Sequence, residues 1–182
     1  MHVARWEEWS GRGLQHVILT EGADAIVAEA VCIVADEGAF AARYRLRCDS
    51  GWRCRELDVE IIDAARTLRL RGDGRGHWTD GDGTSLPLLD GAIDVDLPIT
   101  PFTNTLPIRR LALAAGASAE IDVVYVRAPA LSVEIDRQRY TCLEPLRRYR
   151  YEAVDGSFTA EIDVDSRGLV VTYPELFRRR DN

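Results

Sequence analysis

The sequence predicts a mainly β protein: many short strands in an antiparallel sheet, accompanied by one short α-helix. Three observations carry this. Apolar and polar residues alternate with period two through most of the chain. Glycine-containing turns such as Asp49-Ser50-Gly51 and Ser166-Arg167-Gly168 separate the alternating runs at short spacing. Only Asp94–Leu111 breaks the pattern with the marks of a capped helix.

Taken in order, Ala23–Val34 is the first run to assign. Its alanines would allow a helix. Its β-branched residues and the Asp36-Glu37-Gly38 turn after it favour a strand. Ala41–Cys48 places Ala42, Tyr44, Leu46 and Cys48 on one face and three arginines on the other; Arg53–Ile61 repeats the pattern, and the intervening turn makes the two a hairpin. A two-residue turn at Ser50-Gly51 would pair Cys48 with Arg53, so a Cys48–Cys54 bridge needs a longer loop. Thr67–Arg71 and Gly76–Thr79 flank Gly72-Asp73-Gly74-Arg75, and Ala119–Arg127 and Leu131–Ile135 flank Pro129. Arg148–Glu152, Phe158–Val164 and Leu169–Tyr173 complete the series. Tight turns between neighbours imply an antiparallel meander. A flat sheet of that size would expose one face and both edges, so the sheet must curl, with the helix as candidate filling.

The helix is bounded by Pro107, which is tolerated only in the first turn. With Thr103 as N-cap, Pro107 takes the fourth helical position, and Gly116 supplies a stop. Leu106, Ile108, Leu111 and Leu113 give apolar surface; Arg109 and Arg110 follow Pro107 closely and have carboxylates such as Asp94 and Asp96 within reach. Read structurally, the segment is a plug with paired charges. Read functionally, Thr103, Asn104, Thr105, Arg109 and Arg110 form a polar patch at a cavity mouth, suited to sugar hydroxyls or a phosphate.

At 182 residues the chain fits one domain, 1–182. Its 46% hydrophobic content fits a globular protein, and a net charge of −7 argues against a nucleic-acid partner. All 23 basic residues are arginine, spread evenly, which excludes a lysine Schiff base or a P-loop lysine. Neither a signal peptide nor a membrane span is recognisable, so the expected location is the cytoplasm, with reduced cysteines.

No catalytic motif is found. Asp80-Gly81-Asp82-Gly83 lacks the later acidic ligands of a calcium loop, with Gly91 where a glutamate is needed. His2, His16 and His77 are far apart, no Cys-x-x-Cys occurs, and there is no Gly-x-Ser-x-Gly. No metal, cofactor or catalytic residue is expected. Trp52 and Trp78 are candidates for stacking on a sugar, although tryptophans in β proteins serve the core more often.

Several segments together are similar to one bacterial family. They are Gly51-Trp52-Arg53, Gly72–Trp78, Leu89–Asp96, Pro101–Leu111, Tyr125-Val126-Arg127, Gln138-Arg139-Tyr140, Tyr149-Arg150-Tyr151 and Gly168–Phe177. The string Thr103–Arg110 is the specific one. In these the chain resembles the glycolipid-binding family. The resemblance implies a spiral β-roll, a sheet rolled around one helix and similar to the unclosed barrels of lipoprotein carriers. It also implies a glycolipid or other amphipathic ligand, and a homodimer. The expected ligand-binding residues are Thr103, Asn104, Thr105, Arg109, Arg110, Asp94, Asp96, Tyr125, Trp52 and Trp78. The competing expectations are an enzyme on a small sugar or phosphorylated metabolite, with Arg109 or Arg110 as anion clamp, and a dimeric scaffold without a ligand.

Overall fold

The computed structural model describes residues 1–36 and 38–180; Glu37, in the turn expected at 36–38, lies outside them. The described strands are β1 (His2–Glu8), β2 (Leu14–Glu21), β3 (Ala25–Val34), β4 (Phe40–Asp49), β5 (Cys54–Ile61), β6 (Arg66–Gly72), β7 (Trp78–Asp80), β8 (Asp94–Asp96), β9 (Ser118–Arg127), β10 (Ser132–Glu144), β11 (Arg148–Ala153), β12 (Thr159–Val164), β13 (Val170–Tyr173) and β14 (Phe177–Arg179). The α-helix α1 covers Thr105–Leu111. No helix among the described residues is long and apolar enough to cross a membrane.

All fourteen strands form one sheet in the order β7-β6-β5-β4-β3-β2-β1-β14-β13-β12-β11-β10-β9-β8. The chain therefore starts at the middle of the sheet, winds out to one edge, crosses to the other edge and winds back. The seam is β1 against β14, with Trp6 opposite Arg179. It is pinned by the Trp6 indole, which donates to the Val170 carbonyl at 2.8 Å, and by Glu7, which pairs with Arg178 and Arg180. At the open edges the Trp78 indole donates to the Ala92 carbonyl at 2.8 Å, and Gly91 N–H donates to the Gly76 carbonyl at 2.9 Å. Edge strands β7 and β8 are not paired with each other, so the roll is unclosed. One pairing departs from the antiparallel expectation: β8 runs parallel to β9, the two joined by the crossover through residues 97–117 that carries α1.

The alternation read from the sequence becomes an inner and an outer face. On β3, Ile26, Ala28, Ala30, Cys32 and Val34 are buried, while Glu29, Val31 and Ile33 are exposed. The segment from Leu97 to Ile108 lies inside the roll. Leu97, Ile99, Phe102 and Leu106 join the larger core cluster with Trp6, Leu46 and Leu57, while Ile108 joins a second cluster with Tyr140, Tyr149 and Ile162.

Two local expectations are corrected. Thr103 is not the N-cap. Thr100 caps a 3-10 turn, Pro101–Asn104, by accepting from Phe102 N–H at 3.2 Å, and α1 continues from it, so Pro107 is its third residue. The stop is Ala112, in the left-handed region at φ +45°, rather than Gly116. The Cys48 hairpin also differs. A register shift between Arg47 and Cys48 sets Cys48 opposite Cys54, and Trp52 takes the left-handed conformation the longer loop requires. All four cysteines are buried free thiols.

Gly76 sits where the edge must fold over, at φ +105°, and a Cβ there would lie 3.0 Å from the Gly91 backbone. Gly76→Ala is expected to cost about 1–3 kcal/mol. Gly83→Ala, at φ +86° but with open space around it, is the control for backbone strain alone. Urea unfolding should rank Gly76→Ala clearly below Gly83→Ala; equal losses would mean the Gly76–Gly91 approach contributes nothing.

Candidate functional site

The arginine pair of α1 serves structure on both sides. Arg110 forks onto Asp94, with Nε 3.0 and 3.1 Å from the two carboxylate oxygens and Nη2 2.6 Å from Oδ2. Asp94 is fully buried; burial pushes its carboxyl up, and the guanidinium opposes that push. Arg109 donates to the Arg167 carbonyl at 2.8 Å and lies 4.8 Å over the Trp52 ring. Trp52 and Trp78 are both core residues.

The other polar residues of the segment turn toward the second half of the sheet. Thr103 Oγ1 lies 3.2 Å from Asp96 Oδ1 and accepts from Leu97 N–H at 3.3 Å. Asn104 accepts from the Tyr140 hydroxyl at 2.9 Å and donates to the Pro101 carbonyl at 3.3 Å. Thr105 is completely buried.

Between this segment and strands β9 to β14 lies a cavity of about 330 Å³. Asp96, Thr100 and Asn104 line it from the central segment, and Tyr125, Glu134 and Asp136 from β9 and β10. Tyr151 and Ala153 of β11, Phe158, Tyr173 and Phe177 supply most of the apolar wall. Tyr151, Phe158 and Tyr173 form a triangle of rings with centroids 6.0, 6.1 and 6.3 Å apart.

Asp96 dominates the electrostatics. It accepts from Gln138 Nε2 at 2.8 Å, and the same nitrogen lies 3.0 Å from Asp136 Oδ2. Burial pushes the Asp96 carboxyl up, the Gln138 and Thr103 donors pull it back, and neighbouring Asp136 pushes it further up. Burial, followed by the charge of Asp96, also raises the phenols of Tyr140 and Tyr151. For Tyr173 burial comes first and Tyr151 second, with Asp96 adding to both.

Of the residues singled out from the sequence, the fold brings Asp96, Asn104 and Tyr125 to the cavity, with Thr103 behind Asp96. Asp94, Thr105, Arg109, Arg110, Trp52 and Trp78 are not part of its lining. Sequence reasoning missed Glu134, Asp136 and the Tyr151 cluster. A usable signal existed on β10: Glu134, Asp136, Gln138, Tyr140 and Cys142 share one face, buried from Gln138 onward. Acidic residues continuing a buried face mark the point where that face meets a cavity or solvent.

A second concavity, about 490 Å³, lies on the outer face of β2 to β6. Its charges largely neutralise one another, as Arg43 with Glu60 at 2.6 Å and Arg45 with Glu29 at 3.6 Å. It is a salt-bridged surface rather than a site with unmet polar groups. Among the described residues no cluster of three or more His, Cys, Asp or Glu could hold a metal ion.

A family model described as "Putative glycolipid-binding" matches residues 3–179. Among solved structures, the chain is similar to the crystal structure of a DUF1089 family protein from Pseudomonas aeruginosa. The two are 44% identical over 91% of this chain and 92% of that one, with a TM-score of 0.80. No curated protein matches.

Proposed function

The chain belongs to the glycolipid-binding family, and from that premise we propose that it binds a glycolipid or similar amphipathic molecule without transforming it, holding the polar head in the cavity between the central segment and β9 to β14. The observation carrying this reading is the cavity's mixed lining. Aromatic rings offer faces for a sugar ring, and Asp96, Asn104 and Asp136 offer acceptors for its hydroxyls. At about 330 Å³ the space is at the small end for ligand sites, the size of a head group rather than a whole lipid. Phe158 and Leu176 are only half-buried, so an alkyl chain leaving the cavity meets apolar surface there.

Titration calorimetry with octyl glucoside, below its micelle-forming concentration, tests the reading. Saturable binding is expected to the native chain. It should be lost in Ala153→Trp, which fills the cavity from the end of β11 where Ala153 is only half-buried, while the unfolding midpoint stays within the native range. Equal binding by both proteins, or by neither, would contradict the site. Release of free glucose during the titration would contradict the non-enzymatic part and favour an enzyme working through Asp96.

A further inference from the structure

We propose that the cavity selects a cationic head group, one carrying an organic ammonium, over neutral and acidic ones. This rests on the head-group reading above and goes on to specify the ligand's charge.

The first observation is a charge left unanswered. Most other strand carboxylates meet arginines, as Asp94 with Arg110 at 2.6 Å, Asp122 with Arg137 at 2.8 Å and Asp163 with Arg148 at 2.8 Å, while Glu8 and Asp80 are held by backbone N–H groups. Asp96 and Asp136 break that habit. Their partners among the described residues are the neutral donors of Gln138 and Thr103. Because both carboxylates are held by one amide nitrogen, they lie within about 6 Å of each other. Both face the same cavity. The one arginine in its lining, Arg127, is engaged by Glu134 and lies 5.3 Å over the Tyr125 ring. Among the described residues no arginine or other cation pairs with Asp96 or Asp136, so a cationic ligand in the cavity would meet two unpaired acceptors.

The second observation is independent of the acids. Tyr151, Phe158 and Tyr173, packed against one another, line the same cavity with aromatic surface. Ring faces attract cations. Rings alone would also suit a neutral sugar, and carboxylates alone would also suit hydroxyls. Together they favour an ammonium and repel a phosphate, sulfate or carboxylate. The ammonium can be the primary amine of an amino sugar or a quaternary amine; the chemistry is shared, and the experiment separates them.

Binding of glucosamine, glucose, N-acetylglucosamine, glucuronate and choline is measured by titration calorimetry at neutral pH. Glucosamine is expected to bind about tenfold or more tighter than glucose. N-acetylation, which removes the charge, should erase that advantage, and glucuronate should bind weakest. In Asp136→Asn the advantage of glucosamine over glucose should shrink to about threefold or less, with the unfolding midpoint confirming an intact fold. Choline binding as well as glucosamine assigns the selectivity to the aromatic wall; choline failing while glucosamine binds assigns it to the carboxylate pair, and either result supports the proposal. Glucose and glucosamine binding equally, or glucuronate binding best, overturns it while leaving head-group binding in place. Failure of all five at millimolar concentration overturns this proposal and, together with a failed octyl glucoside titration, the head-group reading as well.

Discussion

Arg110→Ala is expected to remove about 3–5 kcal/mol of folding stability, the largest effect of any single substitution considered. The reason is what remains behind. Asp94 is fully buried, and its three short contacts to the Arg110 guanidinium are its charge compensation among the described residues. Truncating the arginine leaves a carboxylate in the core that must either stay charged without a partner or take up a proton. Arg110→Lys should recover only part of the loss, since an ammonium cannot form the fork. Asp94→Leu combined with Arg110→Leu should be far milder than Arg110→Ala, because no lone charge is then left in the interior. Urea unfolding of the four proteins decides the matter. A loss below about 1 kcal/mol for Arg110→Ala would mean the pair behaves as a surface ion pair. The pair also clamps α1 to β8, and so fixes the strand that carries Asp96.

Asp96→Asn is expected to do two opposite things: raise stability by about 1–2 kcal/mol at neutral pH and weaken glucosamine binding about tenfold or more. The sign follows from the direction of the shift. Burial raises the folded-state pKa of Asp96 above that of the unfolded chain. The folded state therefore holds the proton more tightly. The stability associated with that proton is fully present below the ordinary carboxylate range and is lost as pH rises through the raised value. At neutral pH the native side chain carries a charge that folding must desolvate, and asparagine removes it; its Oδ1 can still accept from Gln138 while its Nδ2 donates to the Thr103 hydroxyl. The stability gap between the variant and the native chain should thus narrow as pH falls through the carboxylate range. Thermal unfolding from pH 4 to 8 measures this. A variant less stable than the native chain at neutral pH, or one that binds glucosamine unchanged, would show that Asp96 is not a charged residue kept for its ligand.

Much of the fold was legible locally. The hairpin of β4 and β5, the strand assignment of β3 and the succession β11, β12, β13 all follow from alternation and glycine turns. What escaped was set by distant parts of the chain. Strands β8 and β14 have only three residues each, too few to show a period, and the β1–β14 seam joins residues some 170 positions apart, for which no local pattern exists.

The site was legible in its location and not in its chemistry. The sequence pointed to the Asp94–Leu111 segment, and two of its expected residues, Asp96 and Asn104, line the cavity together with Tyr125 from β9. Asp94 and Asp96 occupy equivalent positions on one face of β8, and their spacing cannot say which of them meets an arginine. That depends on where α1 starts, and the true cap, Thr100, lies three residues before the expected one. Arg110 consequently turns to Asp94, and Asp96 is left to the cavity. The expected patch of hydroxyls, an amide and two arginines becomes a lining of carboxylates and rings.

The central claim is that the head of the ligand sits between the central segment and β9 to β14. Amide chemical-shift mapping during a titration with octyl glucoside tests it most directly. The account predicts the largest shifts at Asp96, Asn104, Tyr125, Asp136, Tyr151 and Ser157, around the cavity. Shifts confined to the outer groove around Val31, Arg43 and Arg45, or to Arg110 and Trp52, would contradict it.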